Sequence, residues 1–197
     1  YRVKNQQGND LNDQSIFSQM IYGEYQFQHR FTGSDLRLTA GLVGSQTNVA
    51  AALYVDSTYV SSNAAAYIQL DKKLIEKLNI SFGARFERNT IGNPNQDTIP
   101  NQYVTEQKPV IRAGLNYQVA KATFLRASFG QGYRFPTIAE KYISTSLGTL
   151  NIFPNESLSS ETGWSTEIGV KQGFKISSFQ GYFDAVLYQM QYTDMME

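Results

Sequence analysis

The sequence predicts an all-β chain: an antiparallel up-and-down transmembrane β-barrel segment, about eight strands of a larger barrel. Three observations predict it. Apolar and polar residues alternate with a period of two in one segment after another, the pattern of strands with two different faces. The connections between these segments alternate short and long. The composition combines 13 Tyr and 12 Phe with one Trp, no Cys, many Asn and Gln, and only 17% charged residues. That suits two-faced strands and not a helical bundle, which would be richer in Ala, Leu, Glu and Lys.

The same numbers exclude several classes. Lys plus Arg and Asp plus Glu are 17 each, so the formal net charge is zero, without the basic excess of a nucleic-acid binder. A hydrophobic content of 41% is too high for a disordered chain. The absence of Cys removes disulfides, a thiol nucleophile and thiolate metal sites. His29 is the single His, so no histidine metal cluster can form. No apolar run reaches the length of a membrane-spanning helix.

Taken in order, residues 5–13 read as loop, after Tyr1–Lys4, which reads as the end of a strand. Phe17, Ile21, Tyr25, Phe27 and Phe31 mark one face of a strand over about 14–31. Leu36, Leu38, Ala40 and Leu42 alternate with Arg37, Thr39 and Gly41. A weaker strand covers about 62–72. The clearest is Leu78–Glu87, with Leu78, Ile80, Phe82, Ala84 and Phe86 against Asn79, Ser81, Gly83, Arg85 and Glu87. Ile111, Ala113, Leu115 and Tyr117 alternate with Arg112, Gly114 and Asn116, and Leu125, Ala127 and Phe129 with Arg126, Ser128 and Gly130. Trp164, Ile168 and Val170 oppose Ser165, Glu167 and Gly169, and an eighth strand covers about 177–192. Short connections fall near 32–35, 72–77, 119–123 and 172–176, and long ones near 45–61, 88–108 and 133–160. Tight turns on one side and long loops on the other mark an outer-membrane barrel, whereas a sandwich has Greek-key crossovers.

In such a barrel the apolar face meets lipid and the polar face lines a wet lumen. The strands are long enough for a tilted crossing. Phe27, Phe31, Tyr67, Tyr117, Phe124, Trp164, Phe174 and Phe179 stand near strand ends, where an interfacial girdle would lie. His29 reads as an interfacial residue among them. Arg85, Glu87, Arg112, Arg126 and Glu167 on the polar faces suit a hydrated interior.

The most specific stretch is Leu125–Glu167. It contains Arg126-Ala127-Ser128-Phe129, then Gly132-Tyr133-Arg134-Phe135-Pro136-Thr137, Glu140, Asn155-Glu156-Ser157-Leu158-Ser159-Ser160-Glu161, and Glu167-Ile168-Gly169. This combination resembles the barrel of TonB-dependent outer-membrane receptors, with Ser160 standing where the family usually has Pro. Gly83-Ala84-Arg85-Phe86-Glu87 resembles the preceding hairpin, and Leu187–Glu197 the next strand. The resemblance covers about 62–197 well and 14–45 more loosely. It implies an active-transport receptor of the bacterial outer membrane. Its partners would be membrane lipid, its own plug domain, TonB through an N-terminal segment, and an unknown transported ligand, with no nucleic acid. Residues 1–197 would then be part of a single barrel domain, with the plug and remaining strands outside this chain.

The motif residues are Arg126, Gly132, Arg134, Pro136, Glu140, Asn155, Leu158 and Glu161, and the luminal candidates are Arg85, Glu87, Arg112 and Glu167. Gly132 and Pro136 would fix the bend from strand into loop. Arg134, Glu140 and Glu161 read as ion pairs holding the long loop in preference to ligand contacts, and Asn155 as a turn residue bonding nearby backbone. Ile143, Leu147, Leu150, Ile152 and Phe153 give that loop an apolar content that argues for packing over the barrel mouth. No catalytic, cofactor or metal motif is present. Asp97 and Glu106 lack neighbours for a calcium cage. The rival readings are a passive porin or adhesion barrel, an outer-membrane enzyme, which a single His on the apolar face disfavours, and a soluble β-protein with a dry core.

Overall fold

The computed structural model describes residues 2–4, 10–13, 16–51, 57–94, 103–147 and 150–195. The opening segment differs from the sequence expectation. Residues 10–13 are not loop: β1 (Arg2–Lys4) pairs with β2 (Asp10–Asp13) in a separate two-stranded sheet. Eight further strands form one sheet: β3 (Ile16–Phe31), β4 (Leu36–Ala51), β5 (Ser57–Ile75), β6 (Leu78–Gly92), β7 (Tyr103–Ala120), β8 (Thr123–Arg134), β11 (Glu161–Ile176) and β12 (Phe179–Thr193). All neighbours are antiparallel and consecutive along the chain, apart from a loop between β8 and β11. That loop holds helix α1 (Ile138–Tyr142) and a small hairpin of β9 (Thr145–Leu147) and β10 (Leu150–Ile152). Among the described residues no ladder joins β3 to β12, so the sheet is an open wall and not a small closed barrel.

Two of the long connections are shorter than the sequence suggests. β4 runs to Ala51 and β5 starts at Ser57, and β6 runs to Gly92 while β7 starts at Tyr103. Apolar alternation fades before the ladder does, because on the outer parts of these strands the face that was apolar turns polar, as at Arg88, Thr90 and Gln107. A period-two reading stops where the apolar band stops, not where pairing stops. Asp97 lies outside the described residues.

Register fixes the faces. Thr39, Gln69, Gly83, Arg112, Gly130, Ser165 and Met190 form one row across seven strands. The adjoining row, on the opposite face, is Leu38, Leu70, Phe82, Ala113 and Phe129. The apolar face is uncovered: Phe82 is 48% exposed and Leu187 81%. Apart from Pro136, the buried apolar side chains among those described are Ala65, Ile91, Ile138 and Tyr142. A soluble protein does not leave an apolar sheet face bare on this scale, so the dry-core reading fails. Two expected girdle residues change sides: Tyr67 pairs with Gly41 and Arg85 on the polar face, and Phe124 with Gln118 and Lys171. Phe27, His29 and Phe31 do lie together on the apolar side, His29 4.4 Å from the Phe31 ring.

Glycines on the polar face let large side chains lie flat and skip a strand. Tyr67 crosses Gly41 and donates to Glu24 on β3 (2.8 Å) while accepting from Gln26 (2.9 Å). Arg112 crosses Gly83 to reach Gln69 on β5 (2.9 Å), and Arg126 crosses Gly169 to reach Asp184 on β12 (3.0 Å). A Cβ at residue 41 would overlap the Tyr67 ring. Gly41→Ala should therefore turn the ring away and lose both hydrogen bonds, a cost of about 1–3 kcal/mol. Thermal denaturation of the protein checks this. Gly41→Ala should add little to Tyr67→Ala, because both remove the same contacts.

Candidate functional site

The loop between β8 and β11 begins with a split in the wall. β8 pairs with β7 only as far as Arg112 opposite Gly130, yet it pairs with β11 up to Arg134 opposite Glu161. Pro109 supplies a reason. The Ile111 N–H points to the β8 side, where Gln131 Oε1 accepts it at 3.2 Å. Alternate residues of a strand point their N–H groups the same way, so position 109 faces β8 too. Proline has no N–H to give, so the ladder, already lost at Ile111, cannot resume there. Gln131 caps the last open donor in its place.

Beyond the split, β8 bends across the polar face. Tyr133 has the parity of Leu125, Ala127 and Phe129, which point outward. Its hydroxyl nevertheless donates to Glu87 and accepts from Asn89 Nδ2 at 2.7 Å, both on the polar face of β6. The end of β8 must therefore lie inside β7. The chain then enters α1 through a capping box: Thr137 N–H donates to Glu140 Oε2 at 2.8 Å, and Glu140 N–H donates to Thr137 Oγ1 at 3.2 Å. These two bonds satisfy donors that a helix start leaves open. Ile138 and Tyr142 on α1 pack against Ile91, with Val49, Tyr59, Val104, Phe135 and Ile143 around them. Val49, Tyr59, Ile91 and Val104 all occupy polar-face positions. The loop is folded into the barrel interior at the end away from the short turns.

Three further contacts hold it. Arg134 donates to Glu140 at 2.6 Å and grips Glu161 with two N–H groups at 2.9 and 3.1 Å. This clamp ties the start of the loop to its end. Arg134 is half exposed, so the clamp fixes geometry more than it adds stability. Lys141 is fully buried and its ammonium donates to the Leu158 carbonyl. Burial pulls its pKa down, against the pull of Glu106 and Glu156. Burial likewise pushes the Tyr142 phenol up to about 12, helped by Glu156 and Tyr59. The buried Ser160 N–H donates to both Glu106 oxygens, at 3.2 and 3.3 Å.

The residues singled out from sequence thus fall in two groups. Arg134, Glu140 and Glu161 form the clamp, Leu158 accepts from Lys141, and Asn155 Oδ1 accepts from the Ser157 N–H and hydroxyl (3.3 and 2.6 Å). Pro136 is fully buried at the bend. Gly132 stands opposite Gly163, and no described atom comes within 4 Å of where its Cβ would be. Nothing in the structure explains its lack of a side chain. On the wall below, Arg85 pairs with Glu87, Arg126 pairs with Glu167 (3.1 Å) and Asp184, and Arg112 reaches Gln69. Of the apolar loop candidates, Ile143 packs and Ile152 is half-buried, but Phe153 is 76% exposed. The side chains of Leu147 and Leu150 lie outside the described residues.

Sequence reading missed Ile91, Tyr59, Tyr133, Ile138, Lys141, Tyr142 and Asp184. Two signals were there: Thr137-Ile138-Ala139-Glu140 fits the capping-box spacing, and Tyr59 and Ile91 are bulky residues at polar-face parity. Among the described residues no three His, Asp or Glu side chains are placed to hold a metal ion.

Known structures share this wall. The copper transporter OprC superposes with a TM-score of 0.67 at 17% identity, over 89% of this chain and 30% of that one. The FrpB iron transporter from Neisseria meningitidis gives 0.65 at 14% identity, over 91% and 29%. The ferric yersiniabactin uptake receptor FyuA from Yersinia pestis gives 0.63 at 14% identity, over 91% and 29%. At such identities the likeness shows the fold. The chain spans less than a third of each of these structures. No curated protein sequence matches it. A family model described as "TonB dependent receptor-like, beta-barrel" matches residues 1–197. With an open antiparallel wall, a bare apolar face and that match over its whole length, the chain belongs to the TonB-dependent receptor β-barrel family.

Proposed function

We propose that this chain is the wall and inserted loop of a bacterial outer-membrane receptor that takes up a scarce nutrient, driven by TonB. Members of the family are transporters, not enzymes. Residues 1–197 are part of one barrel domain whose lumen houses a plug and whose apolar face meets lipid. The transported class is a siderophore, cobalamin, a glycan or a peptide. The observation that carries the reading is the loop of residues 135–160, packed through Ile138 and Tyr142 onto Ile91 inside the wall. A loop so placed narrows the mouth and meets what enters, and loops on a rigid scaffold commonly carry function.

Deletion of residues 143–153 from the full-length receptor tests this. The deletion removes the β9–β10 hairpin and leaves α1 and the clamp. Uptake should be measured for labelled ferric siderophore, cobalamin, oligosaccharide and peptide, with assembly followed by heat-modifiable gel mobility. Uptake of the probe that the intact receptor takes should fall while assembly persists. Unchanged uptake would sink the reading.

A further inference from the structure

We propose that the short-turn rim of the wall binds the phosphate groups of the anionic phospholipids it faces. The inference rests on the outer-membrane reading above and assigns the rim a partner. Zero net charge conceals an axial asymmetry. Lys72, Lys73, Lys77, Lys121 and Lys175 stand at the short-turn end. None of them makes an ion pair with a described residue. Arg30 and Arg37 stand there too, and the acids among the described residues are Asp35, Asp71 and Glu76. At the opposite end Glu106, Glu140, Glu156 and Glu161 stand with Arg88, Lys108, Arg134 and Lys141, so no such excess of cations is found there among the described residues.

The lysines follow the rim: Lys77 and Lys121 stand in turns, Lys72 on the apolar face, and Lys73 and Lys175, in register with Asn79 and Gln180, at polar-face positions. The Lys73 N–H donates to the Asp35 carbonyl (3.1 Å), the Gln118 N–H to Lys77 (2.8 Å) and the Gly173 N–H to Ala122 (2.7 Å). Each of these bonds ties a turn to the next strand, so the rim is continuous along the wall's perimeter. Immediately inside it on the apolar face stand Phe27, His29, Phe31, Tyr117 and the Phe174–Phe179 ring pair (6.0 Å). Such a girdle sits at headgroup level. Lys72 pairs in register with Leu36 and Ile80, so it lies on the lipid side and its ammonium reaches the interface from there. A perimeter row beneath an aromatic girdle fits a planar surface of phosphates. A soluble acidic protein would be met by a compact patch.

Near an anionic surface each lysine raises affinity roughly fivefold. Full-length receptor, first shown to fractionate with the outer membrane, should be titrated in detergent with phosphatidylglycerol and phosphatidylcholine, and bound lipid counted by native mass spectrometry. The intact protein should prefer phosphatidylglycerol. Lys72→Gln/Lys77→Gln/Lys121→Gln should lose that preference by roughly a hundredfold, while Lys108→Gln, near the loop end, should keep it. If the triple variant does not assemble, Lys77→Gln and Lys121→Gln, each in a two-residue turn, should singly lose about fivefold. An unchanged preference overturns the proposal, as does stronger binding of a polyglutamate peptide than of the lipid. Failure to fractionate with the outer membrane would instead strike the functional reading.

Discussion

Phe82→Arg should block assembly of the full-length receptor into outer membranes, and Ser81→Arg should leave it intact. The two positions are neighbours on β6, with opposite faces. Phe82 lies in register between Leu70 and Ala113 and is 48% exposed on the apolar side. A charge near the midplane of that band costs roughly 2–4 kcal/mol in an outer-membrane barrel, and the rim offers no short route for the guanidinium from the middle of the strand. Ser81 faces the other way, between Asp71 and Gly114, where a hollow of about 530 Å³ is lined also by Arg37, Asn116 and Arg126. An arginine there has water, space and the Asp71 carboxylate. The fraction of each variant that shows heat-modifiable mobility in purified outer membranes is the readout. Equal loss from both would mean that the faces are wrongly assigned.

The wall was legible because its information is local. Leu78 to Phe86 alternates without a fault, and the tight turns near 32–35, 76–77 and 121–122 bracket strands whose partners are next in the chain. Pairing between consecutive strands needs no long-range inference. The strand ends were not legible, since beyond the apolar band the outward face turns polar and the alternation vanishes while hydrogen bonds continue. The inserted loop was half legible. Arg134, Glu140 and Glu161 stood out as motif charges, and they meet. Their meeting says nothing of where the loop goes. That depends on Val49, Tyr59, Ile91 and Val104, four residues on four strands that share the interior only once the register is known. Tyr67 was misplaced for the same reason: a tyrosine near a strand end reads as girdle until Gly41 opposite it is seen to give the ring a floor.

Ile91→Asp should release the loop without harming the wall. Ile91 has no exposed surface and touches Ile138 and Tyr142, and among the described residues no other apolar cluster holds α1. Truncating such a buried isoleucine costs about 2–5 kcal/mol, and an unpaired carboxylate in its place costs more. The molecule has a cheap way out. A five-residue helix cannot stand alone, whereas β6 keeps its full ladders to β5 and β7 whatever covers Ile91. The loop should therefore lift and let the new carboxylate meet water, with the Arg134 clamp still joining its ends. Lys141 reports the change, because it is fully buried when the loop is docked and accessible when it is not. Trypsin should cut after Lys141 roughly a hundredfold faster in the variant, since cleavage follows the open population when opening is fast. Heat-modifiable mobility should match the unaltered receptor, and Ile91→Val should change cleavage by no more than about tenfold. If the aspartate variant assembles normally and Lys141 stays protected, the packing of Ile138 and Tyr142 on Ile91 is not what seats the loop.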